Sequence, residues 1–247
     1  MTGPIELSVV VPVYREGEAA RAVIEAVASR LPMPHEILVV HDESDDPTVP
    51  VVNDVARRHP AVRPLLNTLG RGPALALRAG FAAARGSAVV TTMADASDEP
   101  DDIARMYAKL REGFDLVAAS RYMPGGRQEG GPRFKGFLSR LAGRSLHLLV
   151  GLPVHDATSA FRMYRKSLLD ALRLESRDGF EIALEITVKA FVGGYRLAEI
   201  PTVWHDRVQG RSNFRLLHWL PRYLRWYWLA LSRGLWRGHL RAVRHAL

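Results

Sequence analysis

The segment VVTTMADASDEPDDI (89–103) runs from a strand-like apolar stretch into five carboxylates, Asp95, Asp98, Glu99, Asp101 and Asp102, within eight residues. Acids at a strand end offer hard oxygen ligands with positions left open for substrate phosphates, which suits Mg2+ or Mn2+. Acids also favour a helix N-terminus. That alternative accounts for Asp98, Glu99, Asp101 and Asp102, but poorly for Asp95, which precedes the turn. PVYREGE (12–18) follows another apolar run. There Tyr14 could lie against a planar ring and Glu16 could accept a hydrogen bond, or the stretch could be a plain turn. In HDESDDPT (41–48) Asp42 could accept from a base N–H, while Asp45 or Asp46 could cap the next helix. GRGPALALRAG (70–80) is glycine-rich but matches neither a dinucleotide fingerprint nor a P-loop. Arg71 at its head could meet a phosphate or simply be solvated. No Ser/His/Asp order and no zinc spacing stands out.

These residues need strands to present them, and the first 120 residues supply a βαβ rhythm. Strands are expected at 7–13, 36–40, 61–66, 87–93 and 115–120, with helices at 18–30, 47–58, 73–85 and 100–112. Pro64 weakens the third strand. The pattern predicts an α/β fold with a doubly wound, mostly parallel sheet, whose ligands sit beyond the carboxyl ends of the strands. Further on, 123–132 reads as a mobile Gly/Pro loop, 133–150 and 180–192 as helices, and 159–164 and 195–201 as strands. Residues 214–236 show a helical period in Leu217, Leu220, Leu224, Tyr227, Leu231 and Leu235, with arginines mostly on another face.

The chain holds 47% hydrophobic residues and no cysteine. That supports a real core and excludes disulfides, thiolate metal sites and a cysteine nucleophile. Charge is divided unevenly: residues 1–130 carry 14 Lys+Arg against 18 Asp+Glu, and 131–247 carry 20 against 8. Nine arginines and no acid follow Asp206, and all five tryptophans lie at or beyond Trp204. The longest charge-free run there, WYWLALS, is seven residues, well short of the about 20 that span a bilayer. This segment is expected to lie on a membrane or on the domain. MTGPIELSVVVPVY has neither a basic leader nor a long apolar stretch, so no secretory signal is expected.

The ordered set PVYREGE, HD, ADASDEP, ASRYMPGG, HDATSAFR and DRVQGRSN resembles the family-2 inverting glycosyltransferases of the GT-A fold over about residues 6–230. Among these it looks most like the dolichol-phosphate mannose synthase group. The resemblance implies a Rossmann-like GT-A domain over 1–213 and a basic amphipathic helical tail over 214–247. It implies transfer of a sugar from GDP-mannose or a UDP-hexose to a polyprenyl or dolichyl phosphate, with inversion. A soluble saccharide acceptor, or a weakly active nucleotide-sugar-binding relative, is the alternative. By position, Pro12, Tyr14, Glu16, Val40 and Asp42 would hold the nucleoside. The family's Asp-Ala-Asp triplet reads Met93-Ala94-Asp95 here. The first acid is missing; Asp95 is the expected metal ligand, Ala94 lies by the donor, and Ser97 (often Gln in the family) and Asp98 are possible helpers. Arg121 matches an arginine that contacts the donor. Asp156, Thr158, Ser159 and Arg162 match the acceptor-side block. Arg207 matches the first of an Arg…Ser-Lys pair that grips phosphate, with Asn213 at the Lys position; Arg211 or Arg215 could replace the lost cation.

Mg2+ or Mn2+ at Asp95, with Arg121 and Arg207, would stabilise the departing diphosphate. An acceptor phosphate, with a second pKa near ~6, needs no strong base. A hydroxyl acceptor would need one, and Asp156 is the candidate. The Arg/Trp-rich tail suits an anionic membrane surface, which implies a cytoplasmic protein peripheral on the inner face of the membrane, or one held by a separate membrane-anchoring subunit. Nucleic acid is not expected as a partner, because the acid strand tips would repel phosphates without a metal.

Overall fold

The computed structural model describes residues 4–206 and 220–233. Its centre is β1 (Leu7–Val13), every residue of which is buried. This matches a continuous apolar run covered on both faces. Beside it lie β2 (His35–His41), β3 (Val62–Leu66), β4 (Ala88–Thr91) and β5 (Leu116–Ser120). A short β6 (Arg127–Glu129), then β7 (Arg162–Arg165), β8 (Leu197–Pro201) and β9 (Val203–His205) complete the strands. The main sheet runs β3-β2-β1-β4-β7-β5-β8. All its pairings are parallel except those of β7, which lies antiparallel between β4 and β5. Pro64 falls in β3 at the sheet edge, where a missing N–H costs least.

Alternate side chains of the sheet feed two cores. Val9, Val11, Ile37 and Val39 face α1 (Ala20–Arg30), α2 (Thr48–Arg58) and α4 (Asp101–Arg111). Val10, Leu38 and Val40 face α3 (Pro73–Ala83), α5 (Arg133–Val150), α6 (Lys166–Ala171) and α7 (Glu181–Gly193). The result is a helix–sheet–helix sandwich. Gly80 lets α3 approach β1, since a Cβ there would lie 2.3 Å from Val10 Cγ1.

Three features differ from the sequence expectation. The 123–132 segment is not simply a loop: β6 within it pairs in parallel with β9, Gln128 opposite Trp204. The predicted 159–164 strand starts at Arg162 and runs against its neighbours. α6 had no periodic signal, because it is only six residues long.

Residues 220–233 form a helix, α8. The period reading assigned its apolar face to Leu220, Leu224, Tyr227 and Leu231. Trp226 and Ala230, 3% and 0% exposed, seat the helix in the core, and Tyr227 and Leu231 of the expected face are partly buried against the same core. Trp226 is sandwiched by cations, Lys189 at 4.9 Å and Arg225 at 4.7 Å from the ring centre. Arg222 pairs with Asp178 at 2.6 Å, and the Tyr227 hydroxyl donates to Ser145 of α5 at 2.8 Å. Leu220, Leu224 and Trp228 stay exposed. Among the described residues no helix is long and apolar enough to cross a membrane.

Candidate active site

The carboxyl ends of β1, β2 and β4 meet where strand order reverses around β1, the usual ligand position in such sheets. Pro12 of β1 is in register with Val40 of β2. Tyr14 projects beyond them and is half exposed. Glu16 sits just before a 3-10 turn at Gly17–Ala19. Asp42 follows β2, and its two oxygens are engaged by the chain itself. Asn67 Nδ2 donates to one at 2.7 Å and the Gly72 amide to the other at 2.8 Å. Asp42 therefore shapes the 67–72 loop at the head of α3. Asp46 takes the capping role: it accepts from the Thr48 amide and from the Arg15 amide, both at 2.8 Å. That bond also pins the β1 tip, where Arg15 holds φ 57°. Arg71 pairs with Glu43 at 3.0 Å.

The acid segment divides into separate roles. Asp101 and Asp102 lie in the first turn of α4. Asp102 is bound by Arg105, and Asp101 lies 3.5 Å from Arg30. Glu99 turns to His205 at 3.0 Å. Asp98 folds back onto the strand end, accepting from Thr92 Oγ1 at 3.0 Å and the Met93 amide at 3.1 Å. Asp95 accepts from the Ser97 amide at 3.2 Å across a turn that forces Ala96 to φ 59°. Ala94 is buried behind this turn. Asp95, Ser97 and Asp98 line one cleft. Burial pushes the Asp98 carboxyl up to about 7; the Met93 amide opposes this and the Asp95 charge adds to it.

Two carboxylates and a hydroxyl crowded in this way are an oxygen donor set that fits a hard divalent cation, which would relieve their mutual repulsion. Among the described residues no group of three or more His, Asp or Glu could hold a metal alone. A cation here would take its remaining ligands from a bound diphosphate.

Arg121, after β5, faces the same cleft. Its Nε and Nη2 grip Asp156 at 2.6 and 3.0 Å, and Nη2 also reaches Ser139 Oγ at 3.3 Å. Ser139 meets Thr158 Oγ1 at 2.5 Å. The guanidinium lies 4.8 Å from the Tyr122 ring centre and 5.9 Å from that of Trp204. Burial alone would raise Asp156, but the Arg121 charge outweighs it and holds the carboxyl below its ordinary range.

Asp156, the candidate base for a hydroxyl acceptor, is held tightly by its surroundings. The carboxylate is fully buried, both oxygens face Arg121, and the Ser159 amide adds a third bond at 3.1 Å. Arg162, expected on the acceptor side, is fully buried as well. It donates to the carbonyls of Ser159 and Asp156 and to the Thr187 hydroxyl, so it braces the 156–159 loop from beneath. Arg207 and Asn213, with Arg211 and Arg215, lie outside the described residues.

The cleft holds about 510 Å³, a size usual for ligand sites. Its lining combines Asp95, Asp98 and Arg121 with Leu138, Leu141 and Ala142 of α5 and Leu220, Leu224 and Tyr227 of α8. The α5 contribution was not anticipated, although Leu138, Leu141 and Ala142 stand at helical spacing in the sequence.

A mixed, largely parallel sheet with acids and an arginine at its carboxyl edge, facing a helix-walled cleft, is the GT-A arrangement. The chain matches the family "Glycosyl transferase family 2" over residues 8–173 and belongs to it; it is a glycosyltransferase. It is 32% identical over 211 residues to a polyprenol monophosphomannose synthase of Mycolicibacterium smegmatis, covering 83% of this chain and 79% of that protein. It is 28% identical over 237 residues to a dolichol-phosphate mannosyltransferase of Pyrococcus furiosus, covering 90% and 64%. It is 32% identical over 218 residues to an undecaprenyl-phosphate 4-deoxy-4-formamido-L-arabinose transferase of an Enterobacter species, covering 86% and 63%. The chain thus spans a little under two thirds of the length of the latter two. Two crystal structures of glucosyl-3-phosphoglycerate synthase from Mycobacterium tuberculosis share the fold. One holds Mn2+, UDP and glucosyl-3-phosphoglycerate (TM-score 0.67, 20% identity, 93% of this chain and 80% of that one). The other holds Mg2+ and UDP (TM-score 0.67, 20% identity, 93% and 79%).

Proposed function

We propose that this chain transfers a sugar, with inversion, from a nucleotide-diphosphate sugar (GDP-mannose or a UDP-hexose) to a polyprenyl phosphate. The observation that carries this is the mixed lining of one cleft: Asp95, Asp98 and Arg121 share it with apolar side chains of α5 and α8. An ionic head on a long hydrocarbon chain calls for both kinds of lining. The relatives whose names specify polyprenol, dolichol or undecaprenyl phosphate support the reading.

Pro12, Tyr14, Glu16 and Val40 bind the nucleoside at the β1 and β2 tips, with Asp42 setting the 67–72 loop beside them. Asp95 and Asp98, assisted by Ser97, hold Mg2+ or Mn2+, which when bound supplies positive charge to the leaving diphosphate. Asp98 thereby takes over for the acid that Met93 lacks. Arg121, fixed by Asp156 and Ser139, presents its charge to phosphate without reorganising. Arg207 is proposed as a second phosphate cation. The acceptor phosphate is already anionic at neutral pH, so the fully engaged Asp156 is not required as a base.

The tail and α5 together are proposed to rest on the inner face of a membrane. Phe134, Phe137, Leu148, Leu149 and Trp228 are all more than half exposed, and Arg140, Arg144 and Arg233 are exposed near them. Arginine beside exposed apolar groups suits an anionic leaflet.

The test supplies GDP-mannose and a panel of UDP-hexoses with a short polyprenyl phosphate in detergent, with Mn2+ or EDTA. Metal-dependent release of nucleoside diphosphate that requires the lipid phosphate is expected. Release with a soluble saccharide instead would overturn the acceptor assignment. Transfer in detergent without co-flotation on anionic liposomes would replace direct lipid contact by a membrane-anchoring subunit.

A further inference from the structure

The β6–β9 ribbon reaches the loop that carries Asp95 and Asp98. The His205 amide donates to the Ser97 carbonyl at 3.1 Å. The His205 ring lies between two acids: Nε2 is 3.0 Å from Glu99 Oε1, and Nδ1 is 3.2 Å from Glu129 Oε2. Glu129 faces His205 across the ribbon, and Arg127 Nε holds its other oxygen at 3.1 Å. The Asp206 amide closes the ribbon on the Glu129 carbonyl at 2.9 Å. Gln128, Trp204 and Asp206 from the same ribbon line the cleft. One imidazole thus joins the turn that follows Asp98, the strand that carries Gln128, and the strand that leads through Asp206 toward Arg207.

We infer that His205 is a positioning residue: its contacts with Glu99 and Glu129 couple the cation loop to the ribbon that lines the same cleft, so that each is ordered when the other is occupied. This inference rests on the proposed transfer of sugar to a polyprenyl phosphate. Coupling between two binding sites is reciprocal. Lipid phosphate should therefore tighten the cation, and the cation should tighten lipid phosphate. The bridge is nearly half exposed at each of its three side chains, so it adds little to global stability. Its effect should appear in coupling rather than in folding.

The test is Mn2+ binding to the full chain, followed by the resonance of free Mn2+, with UDP and separately with GDP, each with and without farnesyl phosphate. The wild-type chain is expected to bind Mn2+ more tightly when farnesyl phosphate is present. In His205→Ala the Mn2+ concentration for half-saturation should rise roughly three- to ten-fold, the farnesyl phosphate effect should vanish, and the melting temperature should hold. Glu99→Gln keeps an acceptor oxygen toward the ring and should keep most of the coupling, whereas Glu99→Ala should lose it. A His205→Ala chain with wild-type Mn2+ affinity and coupling overturns the inference alone. A wild-type chain that binds no Mn2+ with either nucleotide overturns the proposed function and this inference with it.

Discussion

Asp98 is the residue at which removing a charge should strengthen the empty protein. Its carboxyl is moved from an ordinary 3.8 to about 7 by burial, with the Asp95 charge adding to the rise. Between those values the folded chain holds a proton that the unfolded chain has released, so stability falls as pH rises from about 4 to about 7. Above about 7 the full cost is present. At about 1.36 kcal/mol per pH unit it amounts to about 4 kcal/mol as an upper limit. Asn keeps an acceptor for the Thr92 hydroxyl and the Met93 amide but carries no charge. In EDTA at pH 8, Asp98→Asn should therefore melt several degrees higher than wild type, since 1 kcal/mol is worth roughly 2–4 °C at this chain length. At pH 5, where wild-type Asp98 is already protonated, the two should melt together. Mn2+ with UDP or GDP at pH 8 should raise the wild-type melt and narrow or reverse the gap. Thermal melts at the two pH values, with and without metal and nucleotide, provide the measurement. An Asn chain that melts at or below wild type at pH 8 in EDTA would refute the placement of Asp98 as a buried, repelled carboxylate.

Asp156→Ala leaves the Arg121 guanidinium buried beside an empty space and should cost about 3–5 kcal/mol in a urea titration, with turnover lost as well. Gly143→Ala places a Cβ 1.9 Å from the His155 carbonyl oxygen. It should push α5 off the 155–157 loop and cost about 1–3 kcal/mol, read as a lower melting temperature. Phe134→Asp with Phe137→Asp removes two exposed rings and should abolish co-flotation with anionic liposomes, while the melting temperature stays within about 1 °C because neither ring is buried.

Most of the frame was legible in the residues. Continuous apolar runs such as LSVVVPV and EILVV state a two-sided buried strand, and their alternation with Ala- and Val-rich helical periods states a parallel sheet. The acids after 89–94 marked the strand tip that faces a ligand. Asp95 could be singled out because it precedes the turn, where the helix macrodipole gives it no reason to be. Those signals are local, carried by period and by position relative to a strand end.

What only the tertiary structure decided were choices among partners distant in sequence. At the β2 tip Asp42 offers an acceptor for a base, and Asp46, like Asp45, a helix cap. One is spent on Asn67 and Gly72, the other on Thr48 and the Arg15 amide. Asp156 is a candidate base by its position in the sequence, and Arg121, 35 residues away, occupies both its oxygens. The apolar period of α8 named a face of which Tyr227 and Leu231 pack on the core, yet the fully buried residues are Trp226 and Ala230 beside it. A sequence fixes which groups are available and which face of a local element each occupies. Which of two similar acids is free for a ligand depends on hydrogen bonds closed across the fold, and no local pattern encodes those.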